Sequence, residues 1–260
     1  MIRLLFLGEI IGMPSVKRLK EKFRNVVEKY KVDFSIINGD GASDGYGLLK
    51  KTACDIHRSG IDVVTGGDFI FNKKDVRDLL REPFMLRPYN LPGSMGGKGY
   101  SLYQLDEINI GIINILGRTN FNKVYPLDPF YAVDKVLEKI SDQAKIIIVD
   151  FHGGTTGEIQ AMHWHLAGKV SLVAGSHLRV LTSDYRIVNQ KTAIVTGLGF
   201  CGATLSIGGL NPEIEIQKIK YGQFMYSKVA SEAISLQGVI VEIDEDSGKA
   251  LSINLFKENL

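Results

Sequence analysis

Lys145-Ile146-Ile147-Ile148-Val149-Asp150-Phe151-His152-Gly153-Gly154, followed by Thr155 to Gly168 and Val170 to Val180, decides the fold. Ile146 to Val149 is an unbroken β-branched run, which fits a strand covered on both faces. Asp150 to Gly154 breaks it. Thr155 and Glu158 stand at capping-box spacing, so a helix is expected from there to about Ala167, with Gly168 as its C′ residue. A second apolar run, Val170 to Ala174, leads into Gly175-Ser176-His177-Leu178-Arg179. Two strand ends therefore each deliver a histidine, His152 and His177, to a loop. Ligands bind at the carboxyl ends of strands in an open α/β sheet.

The same pattern precedes this stretch. Ile2 to Leu7, Phe34 to Ile37 and Ile61 to Thr65 read as strands, each ending in glycine and an acid: Gly8-Glu9, Asn38-Gly39-Asp40-Gly41 and Gly66-Gly67-Asp68. Gly12 to Pro14 reads as a turn with Ser15 as a cap. Val16, Leu19, Phe23, Val26, Val27 and Tyr30 then fall at helical spacing, and Lys17, Arg18, Lys20, Lys22 and Arg24 make a solvated face. Further helices are expected over Leu48 to Arg58, Lys73 to Leu80 and Phe130 to Ile140. Arg87-Pro88-Tyr89-Asn90 is irregular, and the glycine-rich run ending at Gly99 reads as a loop or lid. Ser101 to Leu105 and Ile108 to Leu116 form a hairpin about Asp106-Glu107. Tyr185 to Val188 with Ala193 to Thr196, and Val239 to Ile243 with Ala250 to Leu255, make two more. Helix alternation first and hairpins later predict an α/β protein of two packed sheets covered by helices.

The chain has 260 residues with 45% apolar content, and one domain over 1–260 is expected. A net charge of +2 gives no basis for nucleic-acid or membrane binding. Cys54 and Cys201 are the only cysteines, which argues against a disulfide framework and for a reducing compartment. The apolar start is too short for a signal peptide, and no run reaches transmembrane length. A cytoplasmic location is expected. Cys54 reads as buried, Cys201 as exposed in a loop, and His163 and His165 as surface residues.

Acids and histidines at several strand ends suggest a metal centre, since carboxylates and imidazoles from separate loops can hold hard cations that activate water. The order and spacing of Gly8-Glu9-Ile10-Ile11-Gly12, Asn38 to Gly41, Gly66 to Asp68, Arg87 to Asn90, Asp150 to Met162, Gly175 to Arg179 and Thr196 to Gly199 identify more. The chain resembles the bacterial YmdB-like branch of the calcineurin-type metallophosphoesterases over nearly its whole length. The resemblance implies two packed mixed β-sheets flanked by helices, a four-layer sandwich. It also implies metal-dependent hydrolysis of phosphodiesters, cyclic nucleotides among them.

Departures from that family are concentrated in the site. The family has Asp where this chain has Glu9, Glu at Asp40, Asn at Gly41 and a metal-bound Asn at Gly67. Its catalytic His, which assists the leaving group, is Asp68 here, and the second His of its late motif is Arg179. Glu9, Asp40, His152 and His177 remain as metal candidates, with Arg179 expected to replace one ion and pair with Glu9, Asp40 or both, because an arginine cannot become a ligand but can fork onto carboxylates. The expectation is one weakly bound divalent ion (Mn, Fe or Zn) or none, and impaired catalysis in a binding or assembly scaffold. The alternative is a metal-dependent phosphodiesterase with one retained ion. Self-association or a protein partner, and a phosphate-containing ligand, are the expected partners.

Overall fold

A computed structural model describes residues 1–93, 96–222 and 224–260. The strands β1 (Ile2–Ile10), β2 (Phe34–Asn38), β3 (Val63–Thr65), β4 (Met85–Leu86), β11 (Phe200–Ala203), β12 (Ile234–Ile243) and β13 (Ala250–Asn259) form one sheet, in the order β13-β12-β11-β1-β2-β3-β4. The second sheet holds β5 (Tyr100–Leu105), β6 (Ile108–Leu116), β7 (Ile146–His152), β8 (Leu172–Gly175), β9 (Arg186–Val188) and β10 (Thr192–Val195), in the order β5-β6-β7-β8-β10-β9. β1 to β4 run parallel, as do β6, β7 and β8, so their carboxyl ends gather on one side.

The burial pattern explains the layers. Successive strand residues point to opposite faces. Leu4 and Phe6 of β1 meet Ile146 and Ile148 of β7 between the sheets. Leu5 and Leu7 face outward and pack under α1 (Gly12–Tyr30) and α2 (Lys50–Arg58) through Val16, Leu19, Phe23, Ala53 and Ile56. On the other side Ile147, Val149 and Phe151 pack under α4 (Pro129–Ile140) and α5 (Thr156–Leu166). Both faces of β7 are thus buried, which is why its sequence shows no polar alternation. The result is the expected sandwich of two mixed sheets between helices.

Several local expectations are corrected. α1 begins at Gly12, and Ser15 lies inside it with its hydroxyl donating to Ile11 O, so it is no cap. Thr155 makes no side-chain cap; Glu158 instead accepts the amides of Arg118 and Thr119, tying α5 to the loop after β6. α3 is a single turn, Val76–Leu79. β11 and a further helix, α6 (Pro212–Tyr221), stand where no element was expected. Cys201 is buried and Cys54 half-buried, the reverse of their expected order, and burial pushes the Cys201 thiol up to about 12. The glycine-rich run ending at Gly99 includes residues 94 and 95, so the expected lid lies partly outside the described residues. Arg87 is buried and donates to the carbonyls of Gly96, Pro88 and Leu91, while Asn90 brackets Leu116, so this motif fastens loops together. Among the described residues no helix is long and apolar enough to cross a membrane.

Candidate metal centre

Glu9 lies within β1 near its carboxyl end, at the point where β1 changes partner from β12 to β11. Gly8 is forced there by close approach, since a Cβ would stand 2.3 Å from Gly199 O. Asp40 follows β2 and Asp68 follows β3. His152 ends β7, while His177 and Arg179 follow β8. Arg179 adopts φ +55°, a left-handed conformation.

These groups separate into two clusters. In the first, Arg179 forks onto Glu9: Nε donates to Oε2 at 2.8 Å and Nη2 to Oε1 at 2.7 Å. Nη1 also donates to Gly208 O at 3.1 Å. Glu9 is 1% exposed, so the carboxylate has left water almost completely and needs this partner.

In the second cluster, His152 Nε2 lies 3.1 Å from Asp68 Oδ1 and 2.9 Å from His177 Nδ1, and His177 Nδ1 lies 3.7 Å from Asp68 Oδ1. These three residues form a group whose ligand atoms lie within 4.8 Å of one another. A tetrahedral ion with bonds of roughly 2.0–2.2 Å spaces its ligand atoms about 3.3 Å apart, so the triangle fits one ion with shifts of a few tenths of an ångström. Two imidazoles and a carboxylate suit zinc, iron or manganese. Behind the triangle, His152 Nδ1 is held 3.0 Å from Ser176 Oγ. The Asn38 amide stands 3.4 Å from the same nitrogen, and its oxygen accepts from Asp40 N. Such outer partners fix ring orientation.

Glu9 and Asp40 stand apart from the triangle. Glu9 spends both oxygens on Arg179. Asp40 accepts from Gly67 N at 2.7 Å and Phe69 N at 2.8 Å, and it does not belong to the triangle. Asp68, at the position of the catalytic His that the resemblance implies, lies beside the two histidines. Asp40 is not hydrogen-bonded to Arg179 either, so the guanidinium takes Glu9 alone. Asn38, buried at the end of β2, is a site residue that the strand-end pattern alone does not single out.

The glycine substitutions fit this arrangement. A Cβ on Gly67 would stand 2.3 Å from His152 Nε2, so the histidine fills the space that an Asn at 67 would need. A Cβ on Gly41 would stand 2.5 Å from Ile11 Cδ1 and 2.6 Å from Glu9 Oε1, so Ile11 and Glu9 together fill the space of a side chain at 41.

Electrostatics follow from burial. It opposes the charged form of His152, yet the hydrogen bond that the ring donates to Asp68 and the charges of Asp40, Asp68 and Glu9 outweigh it and raise the group to about 9. Burial raises Asp40 to about 7; the His152 charge opposes this, and the charges of Asp68 and Glu9 add to it. Burial and the His152 charge lower His177 to about 4. Burial also disfavours ionisation of Asp68, but the His152 hydrogen bond and charge win, and the acid stays below its ordinary range. Without a metal the cluster is therefore an imidazolium–carboxylate pair beside a neutral imidazole.

His163 corrects a further expectation: it is 1% exposed and neither ring nitrogen has a hydrogen-bond partner. Burial lowers it to about 4. It lies with Ile159, Met162 and Leu166 on the inner stripe of α5, and that spacing was visible in the sequence. His165 is half-buried and pairs with Asp134 at 2.9 Å.

Asp68 and His177 open onto a cleft of about 590 Å³. Tyr46, Phe69 and Phe121 give it aromatic walls, and Lys123 and Lys218 give it positive charge. The Phe121 ring stands edge-on to His177, centroids 5.0 Å apart.

A sandwich of this form with histidines and acids at its strand ends is a metallophosphoesterase fold. The YmdB-like family model matches residues 5–256, and the chain belongs to that family. It is 34% identical over 254 residues to a 2′,3′-cyclic-nucleotide 2′-phosphodiesterase of Bacillus subtilis, covering 97% of this chain and 95% of that one. Among solved structures, one described as a novel phosphatase from Mycoplasma pneumoniae superposes with a TM-score of 0.93 at 27% identity, over 99% of this chain and 93% of that one. A hypothetical protein from Thermus thermophilus superposes with a TM-score of 0.91 at 25% identity, over 99% of both chains.

Proposed function

We propose that the protein is a metal-dependent phosphodiesterase that works with one divalent ion, held by Asp68, His152 and His177, on nucleotide phosphodiesters, cyclic nucleotides included. The observation that carries this is the triangle of two imidazoles and a carboxylate at the floor of an aromatic, lysine-bearing cleft. The phosphodiesterase and phosphatase names of relatives support the same reaction class. When bound, such an ion polarises a phosphoryl oxygen and acidifies water.

The remaining functions fall to the chain itself. Ser176 and Asn38 orient His152. Lys123 and Lys218 draw an anionic ligand into the cleft. Tyr46, Phe69 and Phe121 offer faces on which a nucleoside can stack. Arg179 keeps Glu9 neutralised at the end of β1, where the family resemblance implies ligands of a second ion. Asp68 offers no proton to a leaving group, and general acid help is typically worth ~10²–10⁴ in rate. Turnover is therefore expected below the ordinary range of ~1–10³ s⁻¹.

The expectation of an inert scaffold rests only on the altered residues at 41, 67, 68 and 179, and the relatives' names lend it no support. The test is hydrolysis of 2′,3′-cyclic nucleotides and bis(p-nitrophenyl) phosphate with Mn²⁺, Fe²⁺ or Zn²⁺. Slow, metal-dependent turnover that Asp68→Ala abolishes is expected. No turnover with any ion would return the scaffold reading.

A further inference from the structure

Beneath the metal cluster the layer between the two sheets changes character. Ile36, Val63, Ile112, Ile148 and Ala174 lie in its apolar part. Two residues further along the chain from each, on the same face, come Asn38, Thr65, Asn114, Asp150 and Ser176. All five are fully buried. The carboxyl ends of five strands thus close the apolar layer with a polar one.

Folding alone does not ask for an acid there. Asn114 and Asp150 are register partners on β6 and β7. Asn114 Oδ1 and Asp150 Oδ1 are both buried without a hydrogen-bond partner among the described residues. Each such oxygen costs free energy, and in a native protein it calls for an explanation.

What Asp150 does reach is the back of His152. Its Oδ2 accepts from Thr65 Oγ1 and, at 3.3 Å, from Asn38 Nδ2. The Ser176 hydroxyl is a further donor to the carboxylate. Ser176 Oγ in turn stands 3.0 Å from His152 Nδ1. A hydroxyl has one proton and can also accept. With that proton on the carboxylate, the stronger acceptor, Oγ accepts from Nδ1–H of His152. A neutral ring protonated on Nδ1 carries its lone pair on Nε2, the nitrogen that faces Asp68 and His177. The opposite direction, with Ser176 donating to Nδ1, would put a proton on Nε2 in the path of an ion.

We propose that Asp150 is a positioning residue: through Ser176 it holds a proton on His152 Nδ1 and so turns the Nε2 lone pair into the triangle. Its value to catalysis rests on the one-ion reading above; the direction of the hydrogen bonds does not. Metal-bound histidines commonly give their second nitrogen directly to a carboxylate. Here a hydroxyl is interposed, and the acid sits one layer deeper in the sandwich.

The test has two arms on the full chain. In the first, nuclear magnetic resonance of protein with nitrogen-labelled histidines follows the His152 ring. A slowly exchanging Nδ1–H signal is expected without metal, and it should persist when Zn²⁺ is added. Ser176→Ala and Asp150→Ala should each lose its protection from exchange. In the second, calorimetry follows Zn²⁺ binding. Each of these variants should bind about 10–100-fold more weakly, and the double variant no more weakly than the worse single one, because both cut the same chain of bonds. Asp150→Asn, which keeps a carbonyl acceptor, should bind nearly as the wild type does. Thr65→Val removes a donor to Asp150 that does not lead to His152, so it should lower the melting temperature and leave affinity unchanged. Should Asp150→Ala fail to fold, Ser176→Ala and Asp150→Asn carry the same comparison. A wild-type His152 without a proton on Nδ1 would overturn the proposal, as would wild-type Zn²⁺ affinity in Ser176→Ala or additive losses in the double variant. If Asp68→Ala binds Zn²⁺ as well as the wild type, the one-ion reading fails, and the Nδ1–H signal still decides the role of Asp150.

Discussion

Arg179 and Glu9 are joined by two parallel hydrogen bonds, at 2.8 and 2.7 Å, in the place where the family resemblance implies metal ligands. The guanidinium supplies a fixed positive charge that cannot be removed by deprotonation or chelation. Its side chain is 16% exposed and that of Glu9 is 1% exposed, so the pair is largely desolvated.

Removing one partner should therefore cost more than removing both. Arg179→Ala is expected to lower unfolding free energy by about 3 kcal/mol, the lower end for a buried pair because some water reaches the arginine. Arg179→Ala combined with Glu9→Gln should recover much of that, as a double-mutant cycle in urea would show. An unchanged stability for Arg179→Ala would mean that the pair contributes nothing.

Gly67→Asn restores the residue that the family resemblance implies, and should nevertheless harm the site. Its Cβ would require His152 Nε2, now 2.3 Å away, to swing out of the triangle. A loss of about 1–3 kcal/mol from overpacking is expected, with weaker metal binding in a calorimetric titration. Tighter binding would show that His152 can move without cost.

The metal-free protein should lose stability as pH rises. His152 is raised from 6.5 to about 9 and Asp40 from 3.8 to about 7, so the folded state holds both protons more tightly than the unfolded chain. The His152 contribution is full below pH 6.5 and is lost on rising through 9; that of Asp40 is lost between 3.8 and 7. His177 and His163, lowered to about 4, act in the opposite sense only below 6.5. The melting temperature of chelator-treated protein should fall between pH 6.5 and 9, and Asp68→Asn should flatten the fall. Because ligation requires neutral imidazole, added Zn²⁺ should raise the melting temperature more at about pH 8.5 than at about pH 6. A flat profile in wild type would contradict the charged His152.

Much of the sandwich is legible because the β-branched runs of β1, β2 and β7 and the helical spacing in α1 are governed by local burial. β11 escaped notice because Gly199 and Gly202 make its four buried residues look like loop, and only pairing with β1 and β12 reveals it. α6 is not legible because Ile216 and Ile219 are exposed and only Ile214 of its isoleucines is half-buried, so apolar spacing gives no inward stripe. The strand ends marked where site residues would lie, but not how they would pair. That depended on contacts such as His152 with Gly67, which turn an absent side chain into room for a ring. Asp68 could be understood only once His152 was seen to occupy that room.

The most direct test is the number of divalent ions per chain, by elemental analysis after equilibration with Mn²⁺ or Zn²⁺ and gel filtration. One ion per chain is expected in the wild type, and none in Asp68→Ala, whose triangle lacks its carboxylate. Two ions per chain, or one retained in Asp68→Ala, would contradict a single centre built on Asp68, His152 and His177.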